Sequence, residues 1–233
     1  MNDMALKFDD IKQAFVQEVD GDKKCQDLYG KIRSGDASYA TATKLAHQIG
    51  TDLAKVLVRY APETSIDEWD LDDLLPKALG LDHHMVSEAC RQVQEKINKD
   101  AGLGVKYKEP KFNSNRAYGL VDELKSGDIS DVTGKLSEQI INFSDSVVDD
   151  AIYTNASTLS NAGVKAFITR TLVGNKNCEW CEEAQGTYDY WEVKGTNHPV
   201  WRRHLGCVCE IDFHIEKTGG GYRTERVNNY KKK

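Results

Sequence analysis

The chain has 233 residues, with 37 acidic against 31 basic side chains and a formal net charge of −6. That length suits one large or two modest domains, and the negative balance argues against a protein whose whole surface grips nucleic acid. The polar start Met1-Asn-Asp-Met-Ala-Leu-Lys-Phe and the lack of any long apolar run lead us to expect neither a secretory leader nor a membrane span.

Helical periodicity dominates roughly the first hundred residues. Lys23 to Ile32 places Cys25 on one face with Leu28, Tyr29 and Ile32. From Asp36, read as an N-cap, apolar residues recur at Ala42, Leu45, Ala46, Ile49, Leu53, Val56, Leu57 and Tyr60, a one-sided stripe of period about 3.6. An acidic block, Ser65-Ile-Asp-Glu-Trp-Asp-Leu-Asp-Asp, follows. The next helix is expected from about His83 to Lys99, with Val86, Ala89, Cys90, Val93 and Ile97 on one face and Gly102 and Gly104 ending it. His83 and His84 then fall at a helix start and read as exposed or capping, while Cys25 and Cys90 read as core residues.

Residues 102–115, Gly-Leu-Gly-Val-Lys-Tyr-Lys-Glu-Pro-Lys-Phe-Asn-Ser-Asn, break the pattern and read as an arm or linker. Helix resumes over Arg116 to Lys125 and again from Gly134 to about Leu159. In the second, Leu136, Ile140, Phe143, Val147 and Ala151 repeat at intervals of four and three, which suits packing within the chain better than a coiled-coil seam.

Beyond Asn161-Ala-Gly the character changes to strand. Val164-Lys-Ala-Phe-Ile-Thr-Arg-Thr-Leu-Val alternates and is rich in β-branched residues, and Cys207-Val-Cys-Glu-Ile-Asp-Phe-His-Ile puts Cys207, Cys209, Ile211, Phe213 and Ile215 on one face. Gly219-Gly-Gly-Tyr lacks the lysine and helix of a phosphate loop and reads as a spacer before the basic end, which carries Arg223, Arg226 and Lys231 to Lys233.

The chemistry lies between the two strands. Cys178-Glu-Trp-Cys181 is a pair at chelating spacing, and His204-Leu-Gly-Cys207-Val-Cys209 supplies further soft donors some twenty residues later. A structural zinc ion is the reading of choice. Five donors compete for four positions: Cys178 and Cys181, with two of His204, Cys207 and Cys209. Strand alternation turns Cys207 and Cys209 to the same side and so leans toward a four-cysteine shell. Disulfides would need an oxidising compartment that nothing else in the chain suggests. A piece of about fifty residues buries little apolar surface alone, and a metal would supply the missing cross-link.

The run Gly174-Asn-Lys-Asn-Cys178-Glu-Trp-Cys181-Glu-Glu-Ala-Gln-Gly186, followed by Val200-Trp-Arg202-Arg203-His204-Leu-Gly-Cys207-Val-Cys209, resembles the C-terminal module of minor head proteins of tailed bacteriophages, those similar to the F protein of phage Mu. The resemblance covers about Val164 to Phe213. It implies a virion component at the portal vertex or inside the capsid, acting with portal and capsid proteins in head assembly or DNA delivery.

Two other readings compete. A zinc-ribbon nucleic-acid-binding protein would use Arg202, Arg203 and the basic tail on phosphates, and the tail could equally touch packaged DNA. An effector nuclease would use the histidines of His198-Pro-Val-Trp-Arg-Arg-His204, yet Asp189 and Glu192 lack a diagnostic spacing for a catalytic ion. Arg202 and Arg203 otherwise brace the His204 loop or pair with Glu179, Glu182 and Glu183. Trp180, Trp191 and Trp201 read as the small core of the site. The expected fold is α+β: a helical region over 1–160, a zinc-stabilised β module over 161–216 and a flexible basic tail over 217–233, without catalytic residues.

Overall fold

The computed structural model describes residues 8–60, 70–126, 129–173, 179–195 and 198–216. Six helices come first: α1 (Phe8–Gly21), α2 (Lys23–Ser34), α3 (Tyr39–Arg59), α4 (Leu71–Asp100), α5 (Ser114–Lys125) and α6 (Ile129–Asn161). They are followed by β1 (Ala166–Thr171), the short α7 (Glu179–Ala184), β2 (Gly186–Asp189), a 3-10 turn (Pro199–Trp201) and β3 (Glu210–Ile215). The strands form an antiparallel sheet in the order β2-β1-β3. The fold is α+β, mostly helical, with its small sheet near the C-terminus. Cys178 and the basic tail from residue 217 lie outside the described residues.

Local capping sets the helix boundaries. The Asp22 carboxylate accepts from the backbone of Lys24 and Cys25 and so starts α2. Ser38, in a capping box with Thr41, starts α3 at Tyr39. Asp36 is therefore not the cap: it follows the left-handed Gly35 that ends α2 and accepts from the Ser34 hydroxyl. The expected α3 stripe is buried from Ala42 through Leu57, and it packs chiefly on α6. Where these helices approach, a Cβ on Gly50 would lie 2.5 Å from Ser144 Oγ and 3.0 Å from Ile141 Cα, so only glycine fits.

Two expectations change. Helix α4 begins at Leu71, because Leu71, Leu74, Leu75, Ala78 and Leu79 extend its buried face and Asp72 and Asp73 suit the positive end of its dipole. His83 is thus mid-helix and buried, with its ring edge-on to Phe112 at 5.6 Å, and not a capping residue. Nor is 102–115 a free arm. Asn155 of α6 accepts from Lys108 N–H and donates to its carbonyl, both at 2.9 Å, while Asn98 of α4 donates to Val105 O. Leu103, Val105, Tyr107 and Phe112 pack on the core.

The expected boundary near 161 separates secondary-structure types, not cores. Ala166, Ile168, Ile211 and Phe213 of the sheet belong to the same buried cluster as Tyr39, Leu45 and Ile152 of the helices. Tyr39 meets Phe213 edge-on at 6.1 Å, and its N–H donates to Asp212. A polar seam also crosses this core. Ser144 donates to Asp82 Oδ1 at 2.8 Å, yet Asp82 Oδ2 is buried without a partner.

Burial pushes the Asp82 carboxyl up to about 8. The folded chain therefore keeps a proton there that the unfolded chain releases near pH 4, and stability drains away as pH rises from about 4 to 8. Asp82→Asn, which can still accept from Ser144, is expected to exceed the wild type in stability at pH 8 by at least about 1 kcal/mol, with the gap closing toward pH 4. Parallel urea-denaturation profiles of the two proteins across that range would refute this.

Candidate metal centre

Strand alternation builds the floor of the site. In β1 the buried face carries Ala166, Ile168 and, at its end, Arg170. The approach to β3 keeps the same alternation, so Cys207, Cys209, Ile211 and Phe213 are all buried, as the sequence pattern implied. One turn earlier, Cys207 N–H closes onto His204 O at 3.1 Å through the left-handed Gly206. Opposite, α7 presents Cys181, which is 3% exposed.

These elements bring four of the five expected donors together. The ligand atoms of Cys181, His204 and Cys207 lie within 4.8 Å of one another, with His204 Nε2 3.0 Å from Cys181 Sγ. Cys209 is hydrogen-bonded to both Cys207 and Cys181. The four can hold a metal ion. His204 Nδ1 lies 2.8 Å from the Leu205 carbonyl. A carbonyl only accepts, so Nδ1 carries the proton and Nε2 offers its lone pair toward the sulfurs. The His204 ring points into the cluster beside the thiols.

The surroundings favour thiolate at Cys207. The Cys209 hydrogen bond and then the Arg203 and Arg170 charges outweigh burial and hold the Cys207 thiol far below its usual range, while Cys209 is pushed up as the donor of that bond. Arg170 was not singled out from sequence, although a charged residue in the inward register of an alternating strand was the available signal. Its side chain is 1% exposed; Nη2 donates to Cys207 Sγ at 3.3 Å, and Nη1 donates to the carbonyls of Val200 at 2.9 Å and Arg202 at 2.8 Å. One guanidinium thereby shapes the loop that delivers His204.

Arg203 braces the loop too, but not through the glutamates of α7. It reaches α6, where Nε and Nη2 grip Asp149 at 2.5 and 2.9 Å, while Nη1 donates to Cys209 O at 2.8 Å. With 1% of its side chain exposed it has no surface to offer a phosphate, unlike the exposed Arg202. Asp145 and Asp149, charged residues one turn apart on the packed helix, were the missed partners.

The three tryptophans do not form one core. Trp180 packs on the sulfur cluster, edge-on to His204 at 6.0 Å and under Arg170. Trp201 instead donates to Val193 O and packs on Tyr153, and Trp191 is half exposed. The residues of the nuclease reading serve turns: His198 Nδ1 accepts from Val200 N–H, Asp189 accepts from Trp191 N–H, and Glu192 accepts from Asp189 N–H.

Cys25 and Cys90 are buried in the helical core, as expected. Cys25 also meets Asp22 and Asp52 at ligand spacing, but the Lys55 ammonium, 2.8 Å from Asp52 Oδ1, already supplies the cation there. No helix among the described residues is long and apolar enough to cross a membrane. Comparisons with protein-family models, curated proteins and solved structures give no match.

Proposed function

We propose that the Cys181, His204 and Cys207 cluster holds one structural zinc ion, and that the chain is a minor head protein of a tailed bacteriophage acting at the portal or inside the capsid. The observation that carries the zinc reading is the meeting of these three donors within 4.8 Å. Soft thiolates with one imidazole match zinc. With Cys209, buried in the same small cluster, as the fourth ligand, or Cys178 in its stead, the shell is closed and leaves no open position for a substrate or an activated water. The role is therefore structural and not catalytic.

Support for the phage reading comes from the residues themselves: the donors and Arg203 fall in the two runs that resemble the Mu F-like module. The partners would be portal and capsid proteins, with packaged DNA a further contact of the basic tail. Elemental analysis of freshly purified, reduced protein should give one zinc per chain, and its absence would end the metal assignment. His204→Ala should lose the ion, and of Cys178→Ser and Cys209→Ser the one that loses it names the fourth ligand. For the phage role, the chain should remain with gradient-purified heads at a few copies each, and heads lacking it would overturn that assignment.

A further inference from the structure

The metal loop is fastened to the helices through a buried charge cluster that does not balance by itself. Asp145 and Asp149 point from successive turns of α6, with side chains 1% and 4% exposed. Arg203 is committed to Asp149 by two hydrogen bonds and stands 3.6 Å from Asp145 Oδ2. Asp150 adds a third carboxylate, raised to about 6 by burial, and Arg116 of α5 faces all three as a second cation. The α4 groups facing this seam, Asp82 and Cys90, are held protonated at neutral pH by burial. From β1, Arg170 also feels Asp149, but it is spent on Cys207 and the loop carbonyls. Above about pH 6, where Asp150 too is ionised, three carboxylates and two guanidiniums leave one buried negative charge, and an uncompensated buried charge is costly.

Its neighbour is His47 of α3. The ring Nδ1 lies 3.4 Å from Asp145 Oδ2, and the side chain is 43% exposed, so protons reach it from solvent. Asp145 Oδ1 is buried without any hydrogen-bond partner, so His47 is one of only two side chains within ion-pair reach of this carboxylate among the described residues, the other being Arg203. We propose that His47 is a proton-operated latch holding the 202–209 loop, and the metal donors on it, against the helical body. Protonated, it completes the charge balance at Asp145 and leaves Arg203 to Asp149 and Cys209 O. Neutral, it no longer offsets the charge of Asp145 and keeps at most one uncharged N–H for it, so Asp145 competes with Asp149 for Arg203 and loosens the clamp.

The sign follows from the geometry. The Asp145 hydrogen bond raises the His47 pKa above its ordinary value, against burial and the repulsion of Arg203 and of Lys24 on α2. A raised histidine contributes stability that is full below its unfolded pKa of about 6.5 and is lost as pH climbs through the folded value. The latch is closed in mild acid and opens toward alkaline pH.

Amide exchange of residues 199–209 in the full chain tests this at pH 6 and pH 8, with rates corrected for intrinsic exchange. The readout needs no metal, so a chain that binds no zinc leaves it intact. Loop opening in the wild type should rise severalfold across the interval, because the stability contributed by a raised histidine is lost as pH climbs through its folded value. His47→Gln should open readily at both pH values, and His47→Lys, charged throughout, should stay closed at both. A loop in His47→Gln as protected at pH 6 as in the wild type would overturn the latch, and so would a His47→Lys variant that behaves like His47→Gln.

Discussion

Replacing Cys181 by serine is expected to release the metal and to lower the melting temperature by about 10 °C or more. The thiol is one of the three donors within 4.8 Å, and α7 exists to hold it there. Structural zinc in small modules contributes up to about 10 kcal/mol or more, because binding free energy is folding free energy. Here the apolar face of the sheet already packs in the main core, so only part of that is at stake. A loss of several kcal/mol in a chain of 233 residues corresponds to the stated shift, at about 2 to 4 °C per kcal/mol.

The pattern of the loss matters as much as its size. Cys181, Cys207 and Cys209 form a small cluster of their own with Leu172 and Trp180, separate from the cluster shared by sheet and helices. Chelation should therefore free residues 179–184 and 202–209 at once, seen as fast amide exchange and a change in Trp180 emission. Protection in β1 and β3 and the far-ultraviolet helical signal should persist until global unfolding. Simultaneous loss of sheet and metal loop on adding chelator would show that the sheet depends on the ion, and an unchanged melting temperature would show that the ion carries no structural load.

Much of this was legible in sequence, and the reasons differ by element. The α3 and α6 stripes are read directly because one face of each meets the other helix, and among the buried residues from Leu45 to Leu57 only Asp52 is polar. The donor set is legible because chelation demands particular side chains at particular spacings. Docking of the 102–115 segment is not, since it rests on Asn155 and Asn98, distant side chains that satisfy its backbone one group at a time. The start of α4 was hidden by an acidic run that looks like solvent-facing sequence until its helical phase with Leu71, Leu74 and Leu75 is known. Arg170, Asp145 and Asp149 were missed for a common reason: a charge in an apolar register reads as an interruption of the core until its partner is brought to it by the fold.

Arg203→Ala is expected to have the largest effect of any substitution outside the donors, a cost of about 3–5 kcal/mol. The guanidinium is fully enclosed, neutralises Asp149 through two hydrogen bonds and ties Cys209 O to α6. Removing it strands Asp149 and Asp145 in a seam where burial already raises the Asp149 carboxyl despite its partner. Two further measurements separate this from mere loss of packing. Adding Asp149→Asn to Arg203→Ala removes one stranded charge and should recover part of the stability. Lowering the pH toward 4.5 should narrow the gap to the wild type, because protons then neutralise the carboxylates that the arginine no longer faces. Equilibrium denaturation of the three proteins at pH 4.5 and pH 8 gives all of these quantities. A cost of about 0.5 kcal/mol, unchanged with pH, is what a solvent-screened surface pair would give, and it would remove the Arg203 clamp from the account of how the metal loop is held.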